Sequence, residues 1–231
     1  MSTGKARTYE AFDRASWELR FERFVAQRSS QADVAHDIAH VRWVVANAEL
    51  LALSEYARPE IVLPAAWLHD CVAVPKDSSR RGAASALAAR TAGGFLRGTA
   101  YPAKLVPAVC HAIEAHSFSA GVKPRTREAG VVRDADCLDA LSAVGIARCL
   151  MLGGATGRAL YDPSEPFPEM RPPDDTTNVL DHFYLKLLRL VDTMTTAAGL
   201  AEARRRTAFM REYLRQLGQE IQSNHEPQER A

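Results

Sequence analysis

No run in this 231-residue chain approaches the roughly 18 consecutive apolar residues that a membrane-spanning helix needs. Its first residues, MSTGKARTYEAFDRASW, also lack the apolar core of a signal peptide. A soluble, cytoplasmic protein is the expectation, with no membrane partner. Cysteine is scarce: Cys71, Cys110, Cys137 and Cys149 are scattered and form no CxxC pair, which argues against a disulfide framework or a thiolate zinc site. Reduced thiols packed in a core are expected instead. Neither sign of charge dominates, with 29 Lys+Arg against 28 Asp+Glu, so the bulk basic footprint of a protein that binds nucleic-acid polymers is missing. Alternation of apolar and polar residues is nowhere sustained for long enough to specify a strand.

What is present is helical periodicity. Val34, Ile38, Val41, Val45, Ala48 and Ala52 follow an i, i+4, i+7 spacing, as do Val179, Phe183, Leu187, Leu190 and Met194. A third stripe, Ala203, Thr207, Met210, Leu214, Leu217 and Ile221, predicts a long amphipathic C-terminal helix. Further helices are expected at about 64 to 73, 80 to 93, 102 to 116 and 133 to 152. The fold class predicted is all-α, a single-domain helical bundle over 16–222, with an extension at 1–15 and a tail at 223–231. Pro64 would cost a hydrogen bond inside a helix begun at Pro59, so a start near Leu63 is preferred. Two loops stand out: basic GVKPRTR (121–127) and YDPSEPFPEMRPPDD (161–175), which carries five prolines and reads as either a lid or a surface excursion.

The stretch AAWLHD sets His69 and Asp70 side by side among apolar residues. Neighbours on a helix point about 100° apart, so both reach one point only at an edge of the buried face or at a helix end. A divalent ion would accept the imidazole nitrogen and the carboxylate together and offset the cost of burying the charge. Two ligands are too few; His40 upstream and Asp136 in VVRDADCLDA downstream offer two more.

In that order the four residues resemble the HD-domain superfamily of metal-dependent phosphohydrolases. The resemblance extends through HDIAHVRWVVANA, PKDSSRR, AIEAHSFS, DADCLDALSAVGIAR, LYDP and LDHFYLKLLRLVDTM, covering about residues 15 to 222. It is closest to a bacterial subgroup of small single-domain members, some of which are manganese-dependent nucleotide pyrophosphohydrolases. The resemblance implies His40, His69, Asp70 and Asp136 as metal ligands and Mn²⁺ as the ion, with Fe²⁺, Co²⁺, Ni²⁺, Zn²⁺ and Mg²⁺ as alternatives. It selects His40 over His36 of the His36-Asp37 doublet; Asp37 then either accepts the free imidazole N–H of His40 or stays solvated. Relatives are expected to carry arginine where this chain has Trp43 and Cys137, which bears on phosphate contacts.

Four ligands leave a six-coordinate ion two positions, for water and a substrate oxygen, which suits hydrolysis at phosphorus. Lys76, Arg80 and Arg81 are candidates for neutralising a polyphosphate and Asp77 for relaying a proton, although Asp77 or Ser78 would equally cap the next helix. His116 is a candidate for touching substrate or a second metal, and His111 reads as structural. His182 and Lys186, at i, i+4 in a segment like the subgroup's HFYxK, are candidate phosphate contacts. The expected partner is a phosphorylated small molecule, a nucleotide by resemblance, hydrolysed to monophosphate and pyrophosphate. The alternatives are a nucleotide-binding module without turnover, or a di-iron oxygenase that would need both His111 and His116 at a second ion. The final helix leaves a homodimer as open as packing within the domain.

Overall fold

The computed structural model describes residues 13–28, 38–72, 74, 81–117 and 120–223. Among them the secondary structure is helical, with one isolated bridge between Ala159 and Asn178. The helices are α1 (Arg14–Ala26), α2 (Ile38–Ser54), α3 (Pro59–Leu68), α4 (Ala84–Arg97), α5 (Val106–His116), α6 (Arg127–Asp139), α7 (Ser142–Ala155), α8 (Asp181–Leu185) and α9 (Ala197–Ser223). No single described helix is long and apolar enough to cross a membrane. Helices α2, α3, α5 and α6 pack on one another, α4 covers α5, and α9 lies across α6 and α7. Of the stripe expected on α9, Ala203, Thr207, Met210, Leu214 and Ile221 are buried.

Helix α3 departs from expectation. It begins at Pro59 and runs through Pro64, so the later start near Leu63 is wrong, and it ends at Leu68 rather than near residue 73. Pro59 stands where a backbone N–H would be unsatisfied in any case. Pro64 does remove a hydrogen bond, and the carbonyl it orphans, four residues back on Glu60, accepts the hydroxyl of buried Tyr101 instead. Because the helix ends at Leu68, His69 occupies its C-cap and Asp70 the turn beyond, where adjacent side chains can share a target.

The single helix expected over 133 to 152 is two, α6 and α7, bent by 61° at Ala140 and Leu141. Ser142 adopts φ 71°, and Gly145 packs so closely that a Cβ there would stand 2.1 Å from the Ala140 carbonyl oxygen. The apolar period does not register such a break because buried apolar residues continue across it, Val132, Ala135 and Leu138 before it and Ile146 and Cys149 after it. The helix read across Val179 to Met194 is also shorter: α8 closes at Leu185, and a tighter 3₁₀ run covers Leu187–Thr193.

Two polar ties fix α6. The fully buried carboxylate of Asp134 accepts the Thr195 and Thr196 amides at 2.9 and 2.8 Å and both their hydroxyls, capping the N-terminus of α9. Gly199 permits this approach, since a Cβ there would lie 2.3 Å from Asp134 Oδ2. Arg206 of α9 donates to the Leu138 carbonyl at 2.7 Å and to Asn47 Oδ1 of α2 at 2.8 Å, while Asn47 donates to the Ala135 carbonyl. The register of α6 against α2 and α9 is thereby set on both sides of Asp136.

The proline-rich segment is tied down by hydrogen bonds of its own. Arg171 donates two hydrogen bonds to buried Asp181 at 2.5 and 2.8 Å, and Glu165 accepts the backbone N–H groups of Glu169 and Met170. Tyr101→Phe should cost about 1 to 3 kcal/mol in urea unfolding, because the Glu60 carbonyl loses its acceptor role. The loss should shrink when Pro64→Ala restores the helical N–H; equal losses in both backgrounds would refute the compensation.

Candidate metal centre

Helix α2 presents His40, the end of α3 presents His69 and Asp70, the end of α5 presents His116, and α6 presents Asp136. These side chains converge. His40 Nε2 and His69 Nε2 are 3.3 Å apart. Asp136 Oδ1 lies 3.7 Å from His40 Nε2 and 3.8 Å from His69 Nε2. Asp70 Oδ2 is 3.6 Å from His69 Nε2 and 3.9 Å from His40 Nε2, and its Oδ1 is 3.7 Å from His116 Nε2. Ligands of an octahedral ion at about 2.1 Å stand about 3 Å apart when adjacent and about 4.2 Å apart when opposite, and these separations fall in that range. The groups form two overlapping sets able to hold a metal ion, His40 with His69 and Asp136, and His69 with Asp70 and His116.

The other ring nitrogens explain why the cluster suits a cation. His69 Nδ1 donates to the Ala66 carbonyl at 2.8 Å, and His116 Nδ1 to the Ile113 carbonyl at 2.6 Å; each carbonyl lies three residues back at a helix end. His40 Nδ1 donates to Asp139 Oδ2 at 2.7 Å. With every Nδ1 carrying a hydrogen, every Nε2 of a neutral ring offers a lone pair inward. Lone pairs facing across 3.3 Å repel unless an electrophile lies between them. Burial is the main factor that lowers the pKa of His69, opposed by Asp70 and reinforced by His116, which favours the neutral form that a metal requires. The imidazoles are almost wholly buried, whereas the side chains of Asp70 and Asp136 keep 26% and 28% of their surface, so the open side is the carboxylate side.

Two residues here were not among the sequence candidates. Asp139, one helical turn beyond Asp136, holds the back of His40, and Arg148 of α7 forms an ion pair with the same Asp139 oxygen. The Arg148 Nη1 also lies 2.8 Å from His40 Nδ1. Both nitrogens are donors, so that proximity reflects two N–H groups converging on one oxygen. The spacing of Asp136 and Asp139 in DADCLDA is the signal that could have found the first.

Lys76, Asp77, Arg80 and Asp37 are outside the described residues, as is the side chain of Arg81. His182 donates from Nδ1 to Asp175 at 2.7 Å and lines a cavity of about 380 Å³ with Cys149, Leu152, Arg158 and Thr176, none of them in the cluster. Lys186 is exposed where α8 ends. His111 Nε2 accepts the Arg125 amide at 3.0 Å, a structural bond, so it is not free for a second ion. Cys137, where an arginine was expected, is buried, and burial pushes its thiol up to about 12. Trp43 is half exposed.

A histidine from one helix, a His-Asp doublet ending a second and an aspartate from a third, meeting inside an all-α bundle, define the class. Residues 37–141 match the model of the HD domain, and the chain belongs to the HD-domain family. It is 34% identical to YpgQ of Bacillus subtilis over 191 residues, 80% of this chain and 84% of that protein. The crystal structure of Bacillus subtilis YpgQ in complex with ADP is 33% identical and superposes with a TM-score of 0.67, covering 87% of this chain and 96% of that one. An HD-superfamily hydrolase from Bacillus thuringiensis is 32% identical, with a TM-score of 0.66 and coverage of 90% and 99%.

Asp136→Asn should shrink the gain in melting temperature on adding a divalent cation such as Mn²⁺, because one of the anionic oxygens facing His40 and His69 is lost. Thermal melts with chelator and with excess Mn²⁺ test this, and an undiminished gain in the variant would refute it. A second expectation concerns His111, whose pKa burial and the nearby Arg125 guanidinium hold below 6.5. Between that lowered value and about 6.5 the unfolded chain binds more protons. The stability contribution is therefore complete above pH 6.5 and is lost as pH falls through the folded-state pKa. Urea unfolding between pH 7.5 and 5 should show a shallower decline for His111→Gln than for wild type; parallel curves would rule this out.

Proposed function

We propose that the protein is a divalent-metal-dependent phosphohydrolase acting on nucleotides, with hydrolysis of a nucleoside or deoxynucleoside triphosphate to monophosphate and pyrophosphate as the specific reaction. The observation that carries this reading is the convergence of His40, His69, His116, Asp70 and Asp136 with every Nδ1 tied back, a donor set with no evident structural purpose of its own. Membership of the HD-domain family and likeness to HD-superfamily hydrolases support hydrolysis. The ADP complex of Bacillus subtilis YpgQ supports a nucleotide as ligand.

In this reading His40, His69, Asp70 and Asp136 hold the ion, Mn²⁺ by preference, and His116 stands as a fifth candidate. A divalent ion so held supplies polarisation of a phosphoryl oxygen and acidification of water. The chain does the rest. Ala66, Ile113 and Asp139 keep the three imidazoles in the tautomer that points Nε2 inward, and their burial keeps water from competing. The part-exposed carboxylates of Asp70 and Asp136 mark the side from which substrate enters. Lys76, Arg80 and Arg81 follow the doublet in sequence and are assigned to phosphate charge, with Asp77 assigned to proton transfer. A di-iron oxygenase is disfavoured because His111, which it needs, is bound to Arg125.

The test is turnover of a panel of nucleoside triphosphates, monophosphates and cyclic nucleotides with Mn²⁺. Wild type should release pyrophosphate, and chelation should abolish the activity reversibly. His69→Ala and Asp70→Ala should each lower kcat by more than the roughly 100-fold that loss of a residue behind a ligand brings. Nucleotide binding without product in wild type would replace the enzyme with a binding module.

A further inference from the structure

Asp139 is 3% exposed, and its Oδ1 has no hydrogen-bond partner among the described residues, so its Oδ2 takes both the His40 Nδ1–H and the Arg148 guanidinium. A carboxylate buried in this way is held only if a cation meets it. That cation comes from α7, a helix that contributes nothing else to the cluster. The order of contact is therefore Arg148 on α7, Asp139 on α6, and the ring of His40 on α2, whose far nitrogen is 3.3 Å from His69 Nε2.

We propose that Asp139 and Arg148 are positioning residues that set the metal affinity of the cluster by fixing the His40 ring, Arg148 acting through Asp139. The inference rests on the reading of the cluster as a metal centre. A metal ligand must be held within about 0.5 Å and 10–20° of its working geometry, and rotation about the Cβ–Cγ bond of His40 is the freedom that the Asp139 contact removes. Arg148 supplies what Asp139 alone lacks, a charge that keeps the carboxylate at this depth and in this rotamer. The guanidinium is part-exposed, with 31% of its side-chain surface accessible, so it can be altered without opening the core.

The experiment is Mn²⁺ binding to the full chain by equilibrium dialysis or calorimetry, with no nucleotide present, alongside thermal melts. Asp139→Asn should weaken Mn²⁺ binding about 10- to 100-fold and Arg148→Gln about 10-fold, the range for residues that orient a ligand. Arg148→Lys should retain most of the wild-type affinity. The double variant should bind no more weakly than Asp139→Asn alone, because residues acting in series are not additive. Wild-type affinity in Arg148→Gln, or an equal further loss when it is added to Asp139→Asn, would overturn the proposal. Should Asp139→Asn fail to fold, the contrast between Arg148→Gln and Arg148→Lys decides alone. Shifted affinities in a protein that turns over no nucleotide would keep this inference and remove the hydrolase, whereas turnover with unshifted affinities would do the reverse.

Discussion

A neutral imidazole offers a metal the lone pair of one nitrogen only when its hydrogen sits on the other, and a hydrogen bond from that N–H is a commitment that fixes both tautomer and ring orientation. In this protein that commitment is made three times by three different oxygens: the Ala66 and Ile113 carbonyls, each one turn back along a helix, and the Asp139 carboxylate, from another helix altogether. The first two are local and follow from placing a histidine at a helix end, where the last carbonyls lack intrahelical partners. The third is long-range and depends on the packing of α2 against α6. The helical termini and the polar ties between helices serve to keep these commitments in register.

Among the described residues, several of those ties hold α6. Asp134 and its threonine partners anchor one side of that helix, and the Arg206 and Asn47 pair anchors the other. Between them lies Asp136, with Asp139 one turn further on. Packing of apolar side chains would tolerate small slides of α6 along α2. Directional bonds to buried groups do not, because each slide would leave a donor or acceptor without a partner and without water.

Much of this was legible in the sequence. The helical class followed from apolar period, the cost of burying a His-Asp doublet without a cation drew attention to His69 and Asp70, and the resemblance to the HD-domain superfamily joined His40 and Asp136 to them. The structure brings those four together and adds His116, whose position at the end of α5 was suspected without its distance to Asp70 being knowable. Asp139 was hidden because an aspartate one turn from another reads as ordinary helix surface, and Arg148 because the α6 to α7 break was not read at all. Proline misled: the cost of Pro64 was counted correctly, but its repayment by Tyr101, 37 positions away in sequence, is a tertiary fact that no local rule contains.

The bend at Ala140 and Leu141 also has a bearing on how related chains could diverge. Along an unbroken helix, positions 139 and 148 would be separated by about 13 Å of axial rise, far beyond the reach of one guanidinium to one carboxylate. The 61° turn takes the second rod off the axis of the first, and across that corner the two side chains meet. An insertion or deletion of one residue there would leave both rods intact yet rotate the arginine by about 100° away from its target. Lineages that alter the length of this corner must therefore either find another counter-ion for the acid or give up the acid as well.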